Sequence, residues 1–184
     1  MMTWTGSFIV AAIMLVLGFA LPARGAYDAF LKIEGIDGES ADHQYKDWME
    51  IESFSFGVSN TGSFDGGGGA GKAVFLDLKS GKILDKATPK LMLACASGQH
   101  LPEAVLILRK AGGDEPLEFF EVRLTDVLVS SSMLDARVDQ DRPGESLSLH
   151  YGKIEWIYTP QEPDGTAGES VQAGWDLIAN TAIR

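Results

Sequence analysis

Residues Leu84–Gly113, LDKATPKLMLACASGQHLPEAVLILRKAGG, hold the one convincing helix in a chain otherwise patterned as strand. The Thr88 hydroxyl can cap a helix start, and Pro89 suits the first helical position because its missing N–H needs no partner there. Lys90 to Ser97 then favours helix. Gly98 supplies the positive φ that commonly ends one, and Pro102 prevents a restart. The helix therefore covers about Thr88–Ser97, roughly three turns at most. Leu91, Ala94 and Cys95 line one side, yet Met92, Leu93 and Ala96 make the other side apolar too, unlike a surface helix with one polar face. One side can pack on a sheet of the same chain. The other needs more sheet or a neighbouring subunit, which points to an oligomer.

The flanking segments read as strands. Tyr27–Glu34 alternates loosely and ends at the turn signal Asp37-Gly38. Trp48–Ser59, WMEIESFSFGVS, has the clearest period of two, with Phe54, Phe56 and Val58 on a core side. Ser53, Ser55, Gly57 and Ser59 make the opposite side small and polar, a face for solvent or for an internal channel. Ala73–Leu78, Ala104–Lys110, Leu117–Ser130, Glu145–Thr159 and Val171–Ile183 follow as strands, with Ser131–Gly144 as a loop or an irregular pairing. Inward parity changes near Gly152, which predicts a β-bulge there. Trp48, Trp156 and Trp175 sit in core-like patterns. The pattern predicts a mainly β fold, a two-sheet barrel or sandwich of about seven to nine strands with one capping helix.

With 184 residues, 45% hydrophobic and 22% charged, the chain suits a single domain with a sizeable core. A net charge of −11 repels phosphate backbones and anionic membranes, and Lys and Arg form no basic patch, so no nucleic-acid partner is expected. The single cysteine, Cys95, excludes an intrachain disulfide and is read as a buried thiol. Asp37, Glu39 and Asp42 miss the calcium-loop spacing and read as a solvated acidic loop. Gly66–Lys72 satisfies G-x-x-x-x-G-K, but Ala73 replaces the magnesium-binding hydroxyl and a strand follows in place of a helix. No carboxylate pair, metal-ligand cluster or activated nucleophile stands out. No enzyme activity, cofactor or metal is therefore expected.

Two segments lie apart from the strand pattern. Phe8–Leu21 is apolar apart from Gly18, shorter than the roughly 20 residues of a membrane span, and Ala23-Arg24-Gly25 places small residues for cleavage before Ala26. Residues 1–25 are thus expected to be a leader or signal peptide, and residues 26–184 the domain, with no stable membrane insertion once the leader is removed. Asn60–Lys72, NTGSFDGGGGAGK, is a long Gly-rich connection with Phe64 as its one apolar anchor, suited to ordering on a partner.

Taken together, AYDAFLKIEGIDGES (Ala26–Ser40), the Gly-rich loop, KATPKLMLACASGQHLPEAVLILRKAGG (Lys86–Gly113), LTDVLVSSS (Leu124–Ser132) and GWDLIANT (Gly174–Thr181) carry a specific likeness. They resemble the haemolysin-coregulated protein (Hcp) family, the tube subunits of type VI secretion systems, over essentially all of residues 26–184. The resemblance implies a two-sheet β-barrel with one helix, a homohexameric ring, and rings stacked into a hollow tube. Effector proteins would travel in the lumen, with a contractile sheath and a VgrG-type spike as further partners. It also implies that Thr61, Gly62, Ser63, Phe64, Asp65, Gly66, Gly67, Gly68, Gly69, Ala70, Gly71 and Lys72 form the ring-stacking loop. Ser55, with Ser53 on the same face, would line the lumen. The leader departs from the family, whose members begin near Ala26 and assemble in the cytoplasm. An exported relative, acting outside the cell as free rings or as a monomeric ligand-binding module, is the alternative, and secreted, periplasmic and cytoplasmic locations all follow from one reading or the other.

Overall fold

The computed structural model describes residues 27–60, 72–110, 116–136 and 141–183. The expected leader, and residues 61–71 of the expected stacking loop, lie outside them. The elements run β1 (Tyr27–Ile33), β2 (Met49–Glu50), β3 (Ser53–Asn60), β4 (Ala73–Ile83), α1 (Thr88–Ser97), β5 (His100–Lys110), β6 (Glu118–Asp135), β7 (Gly144–Tyr158), β8 (Val171–Asp176) and β9 (Thr181–Ile183).

The nine strands among the described residues belong to one antiparallel sheet ordered β2-β1-β5-β6-β7-β4-β3, so the two expected layers are hydrogen-bonded to each other. The long β7 divides its edge. Its first half pairs with β4, and its second half with β8, which in turn pairs with β9. The Trp48–Ser59 segment, expected as one strand, breaks at Ile51-Glu52. There the Ile51 N–H donates to the Ala29 carbonyl and the Glu52 N–H to the Gly81 carbonyl, so these two residues tie β1 to β4 and curl the sheet toward closure.

The core lies inside that curl. Leu31, Ile33, Met49, Leu78, Leu106, Val122, Leu124, Leu147, Leu149 and Ile154 are buried there, and Leu91 and Ala94 of α1 join them where the helix lies against β6. Trp156 and Trp175 pack at its margin, and Trp48 joins a second cluster of Phe30, Tyr45 and Ile107. Alternating strand faces thus supply the barrel interior, as the period of two requires.

Three expectations need correction. The helix cap is Ala87, without a side-chain bond, and Thr88 is instead buried as the first helical residue. Its hydroxyl donates 2.6 Å to Glu145 Oε2 because a buried carboxylate is the stronger acceptor in need of a donor. At Gly152 the β6–β7 register is unbroken; opposite it Asp126 takes φ +55°, and both strands change inward parity together. The bulge lies on β6 at Ser130 instead. Residues 131–135, expected as loop or irregular pairing, extend β6 to Asp135 and pair regularly with β7 beyond that bulge. The predicted helix end holds: Gly98 has φ +63°.

Candidate assembly surface

The helix is fixed at its start by a buried ionic network. Lys82 Nζ on β4 lies 2.7 Å from Asp85 Oδ1 and 3.0 Å from Glu145 Oε2 on β7. Glu145 also accepts from Thr88 and, at 2.9 Å, from Ser132 on β6. Every charged group in it has a partner, which is what burial of charge demands. With α1 so oriented, Leu91 and Ala94 point inward, while Leu93 is 66% exposed and Met92 and Ala96 are also exposed. Cys95 is half-buried at the boundary, less covered than expected. The helix therefore presents an uncovered apolar side held by a rigid base.

A second surface is the outer face of β3, β4, β7 and β6. Ser53 and Ser55 are exposed on it, opposite Gly81 and Lys79 of β4. Gly81 and Lys79 in turn face Ser146 and Ser148 of β7, which face Met133 and Ser131 of β6. The two serines thus begin two cross-strand rows in which serine predominates, one passing through Lys79 to Ser131 and the other through Gly81 to Met133. Gly81 is small for a local reason: a Cβ there would stand 2.6 Å from the Ser53 hydroxyl. Lys72, from the Gly-rich loop, is exposed just before β4. Sequence reading missed the β7 share of this face, although the alternation Ser146, Ser148, His150 carries the signal.

The same face holds Asp77, whose carboxylate accepts from Ser130 Oγ at 2.6 Å and meets His150 Nδ1 at 3.0 Å. Burial pushes the Asp77 carboxyl up, but the bonds from Ser130 and His150 together outweigh it and hold the carboxyl below its usual range. The order is wrong for a hydrolytic triad, because the aspartate separates serine from histidine and the hydroxyl proton is spent on it. His100 bonds Asp126 at 2.8 Å rather than approaching Cys95 as a base. Among the described residues no group of three His, Cys, Asp or Glu side chains is placed to hold a metal ion.

The acidic loop before β2 is not simply solvated. Asp42 makes a two-toothed bond with buried Arg109 on β5, at 2.7 and 3.1 Å, and Asp28 meets the same guanidinium at 3.0 Å. The guanidinium lies 5.0 Å from the Phe30 ring and 5.2 Å from Tyr45, a cation–π position. The Arg109 bond, against the cost of burial, brings the Asp42 carboxyl down to about 2. Burial, then the bond to Glu118, raises the Tyr45 hydroxyl well above its ordinary value. This cluster pins the loop to β5 and is structural in its contacts.

These surfaces belong to a fold with known relatives. The family profile described as "Type VI secretion system effector, Hcp" matches residues 30–158. Protein hcp1 of Pseudomonas aeruginosa is 40% identical over 158 residues, covering 84% of this chain and 98% of the relative. Among solved structures, one described as a type six secretion system protein matches with a TM-score of 0.80 and 34% identity, covering 86% of this chain and all of that one. Hcp1 from Salmonella typhimurium matches with a TM-score of 0.74 and 34% identity over the same shares.

Proposed function

The chain belongs to the Hcp family of type VI secretion proteins, and from that membership we propose that it is the subunit of a secretion tube. Six copies close a ring, and rings stack into a hollow tube that carries effector proteins and is itself secreted. The observation that best supports assembly is the apolar outer side of α1, with Leu93 66% exposed on a helix whose inner side is already filled. Such a side is stable in water when a neighbouring copy covers it. The rows that begin at Ser53 and Ser55 suit a lumen wall. They are mostly small and polar, with Lys79 as the charged side chain among them, so folded cargo meets few groups that could hold it strongly. Residues 61–72 are assigned to contact between rings, and the sheath and spike to contacts outside the tube.

The test is negative-stain microscopy of residues 26–184, with native mass measured on the same sample. Six-membered rings, stacking as concentration rises, are the expected result. A monomer at high concentration overturns the tube reading.

A further inference from the structure

Two β-bulges flank β7 at one level of the sheet. The row Leu78, Leu149, Val129 runs unbroken across β4, β7 and β6, and all three side chains are buried. On β4, Asp77 and Leu78 stand opposite the single residue Phe56 of β3, because the register passes from Ser55 and Lys79 to Gly57 and Leu76. On β6, Ser130 has no partner on β7, since Val129 pairs with Leu149 and Ser131 with Ser148. An extra residue bends its strand and re-aims the side chain it carries. Here Asp77 and Ser130 meet on the outer face: Ser130 Oγ donates to Asp77 Oδ2 at 2.6 Å, and His150 Nδ1 of β7 lies 3.0 Å from Asp77 Oδ1. Strands two places apart stand about 9–10 Å from each other. The bond therefore requires both side chains to reach over β7, which the two bulges turn them to do.

The sheet forks at the same level. Pairing of β4 with β7 stops at Leu78 and Leu149; beyond it β7 pairs with β8, while β4 continues with β3. Phe75 then lies against Trp156 and Trp175, with ring centres 6.4 Å away in each case. The buried Tyr151 of β7 donates its hydroxyl to the Leu76 carbonyl at 2.9 Å, so a side chain stands in for the main-chain bond that the fork removes. The far part of the hairpin, Gly57 to Asn60 with Ala73 to Leu76, is thus held at its base by Tyr151 on the inner side and by the Asp77 clasp on the outer side.

We propose that Asp77 is a positioning residue for assembly: its bonds to Ser130 and His150 fix the angle at which the β3–β4 hairpin leaves the sheet, and so the direction in which the hairpin presents the contact between rings. The geometry stands on the fork alone, and its consequence rests on the tube reading. Tyr151 and the packing of Phe75 hold the inner side whether or not the clasp is made. Without it the hairpin stays folded and loses its aim. Six hairpins meet the next ring together, so the same loss is repeated at every contact around the ring.

Two measurements on the full 184-residue chain test this. Asp77→Ala removes both bonds of the clasp, while Ser130→Ala removes one of them from an exposed position and guards against a misfolded first variant. By hydrogen exchange, the amides of Gly57 to Asn60 and Ala73 to Leu76 are expected to exchange about tenfold faster in Asp77→Ala, roughly the contribution of one hydrogen bond, with the end of the hairpin at Ser53 to Ser55 unchanged. By negative-stain microscopy, six-membered rings should persist while stacks of rings fall about tenfold; a mere loss of stability would lower rings and stacks together. Ser130→Ala should shift both readouts the same way by less, and Asp77→Asn, which keeps an acceptor for Ser130, should restore part of each. Hairpin exchange unchanged in both alanine variants, stacks undiminished, or rings and stacks lost in equal proportion would each overturn the inference, while rings from the wild type would still uphold the tube reading. A wild-type chain that forms no ring would overturn the tube reading, and the exchange measurement would still decide the clasp.

Discussion

The Thr88 hydroxyl, in the first turn of α1, donates a 2.6 Å hydrogen bond to Glu145 Oε2 on β7, and both residues are buried. Through Glu145 that bond joins Lys82 and Ser132, so a single carboxylate sets the angle at which the helix leaves the barrel.

Removing the bond should loosen the helix base measurably. Thr88→Val keeps the shape but leaves the carboxylate one donor short, at a cost of about 2 kcal/mol. Lys82→Met strips the cation that pairs with Glu145 and should cost more, about 3–5 kcal/mol, because a buried charge then lacks its counter-ion. Urea denaturation of each variant checks the order; equal midpoints for wild type and Lys82→Met would contradict it.

Acid should release the Asp42–Arg109 clasp. Arg109 brings the Asp42 carboxyl down to about 2 from an ordinary 3.8, so its folded value lies below its unfolded one. The stabilisation is thus present above about pH 4 and is lost as the pH falls through about 2, amounting to about 2 kcal/mol at most. Stability measured against pH for wild type and Asp42→Asn should show a gap at pH 6 that closes by pH 2. A gap that persists at low pH would place the stabilisation elsewhere.

What was legible in the sequence was local. Gly98 ends the helix because only a residue tolerant of positive φ fits there, and the Ser/Phe alternation of β3 sorts its two faces by itself. What was not legible depends on partners far along the chain. Arg109 and Asp42 are 67 residues apart, and nothing in an acidic loop announces that one carboxylate meets a guanidinium buried in a strand. Thr88 has the right identity for a cap, yet Glu145, 57 residues later, competes for its hydroxyl and wins. At Gly152 the change of parity was visible, but its cause was not, because the strand opposite turns over at Asp126 to match. The polar face was half seen, through Ser53 and Ser55, since its β7 rows become neighbours only once β4 lies between them.

Ring stacking should depend on the Gly-rich connection. Phe64→Ala combined with shortening of Gly66–Gly71 is expected to leave six-membered rings and abolish their stacks under the microscope. Intact tubes from that protein would remove residues 61–72 from the ring-to-ring contact.

Cargo retention should depend on the serine rows. Ser55→Arg places a long cation beside Lys79, on an exposed face where the fold has room for it, so ring formation should persist. Co-purification of effector protein with the rings should fall about tenfold, as expected where one unpaired charge per subunit, repeated around a ring, costs roughly 1.4 kcal/mol of binding. Undiminished co-purification would place cargo on another surface.

The two sides of α1 should separate folding from assembly. Leu91 is fully buried among core residues, and Leu91→Ala leaves a cavity that should cost about 2–5 kcal/mol in each subunit. Leu93 points away from the core, so Leu93→Glu should change the stability of an isolated subunit by no more than about 0.5 kcal/mol. If a neighbouring copy covers that side, the new carboxylate is buried in the contact without a partner, and the closed ring should give way to monomers in native mass measurements. Rings that survive Leu93→Glu unchanged would show that the exposed side of the helix faces outward in the assembly, and the contact between subunits would have to be sought on the strands.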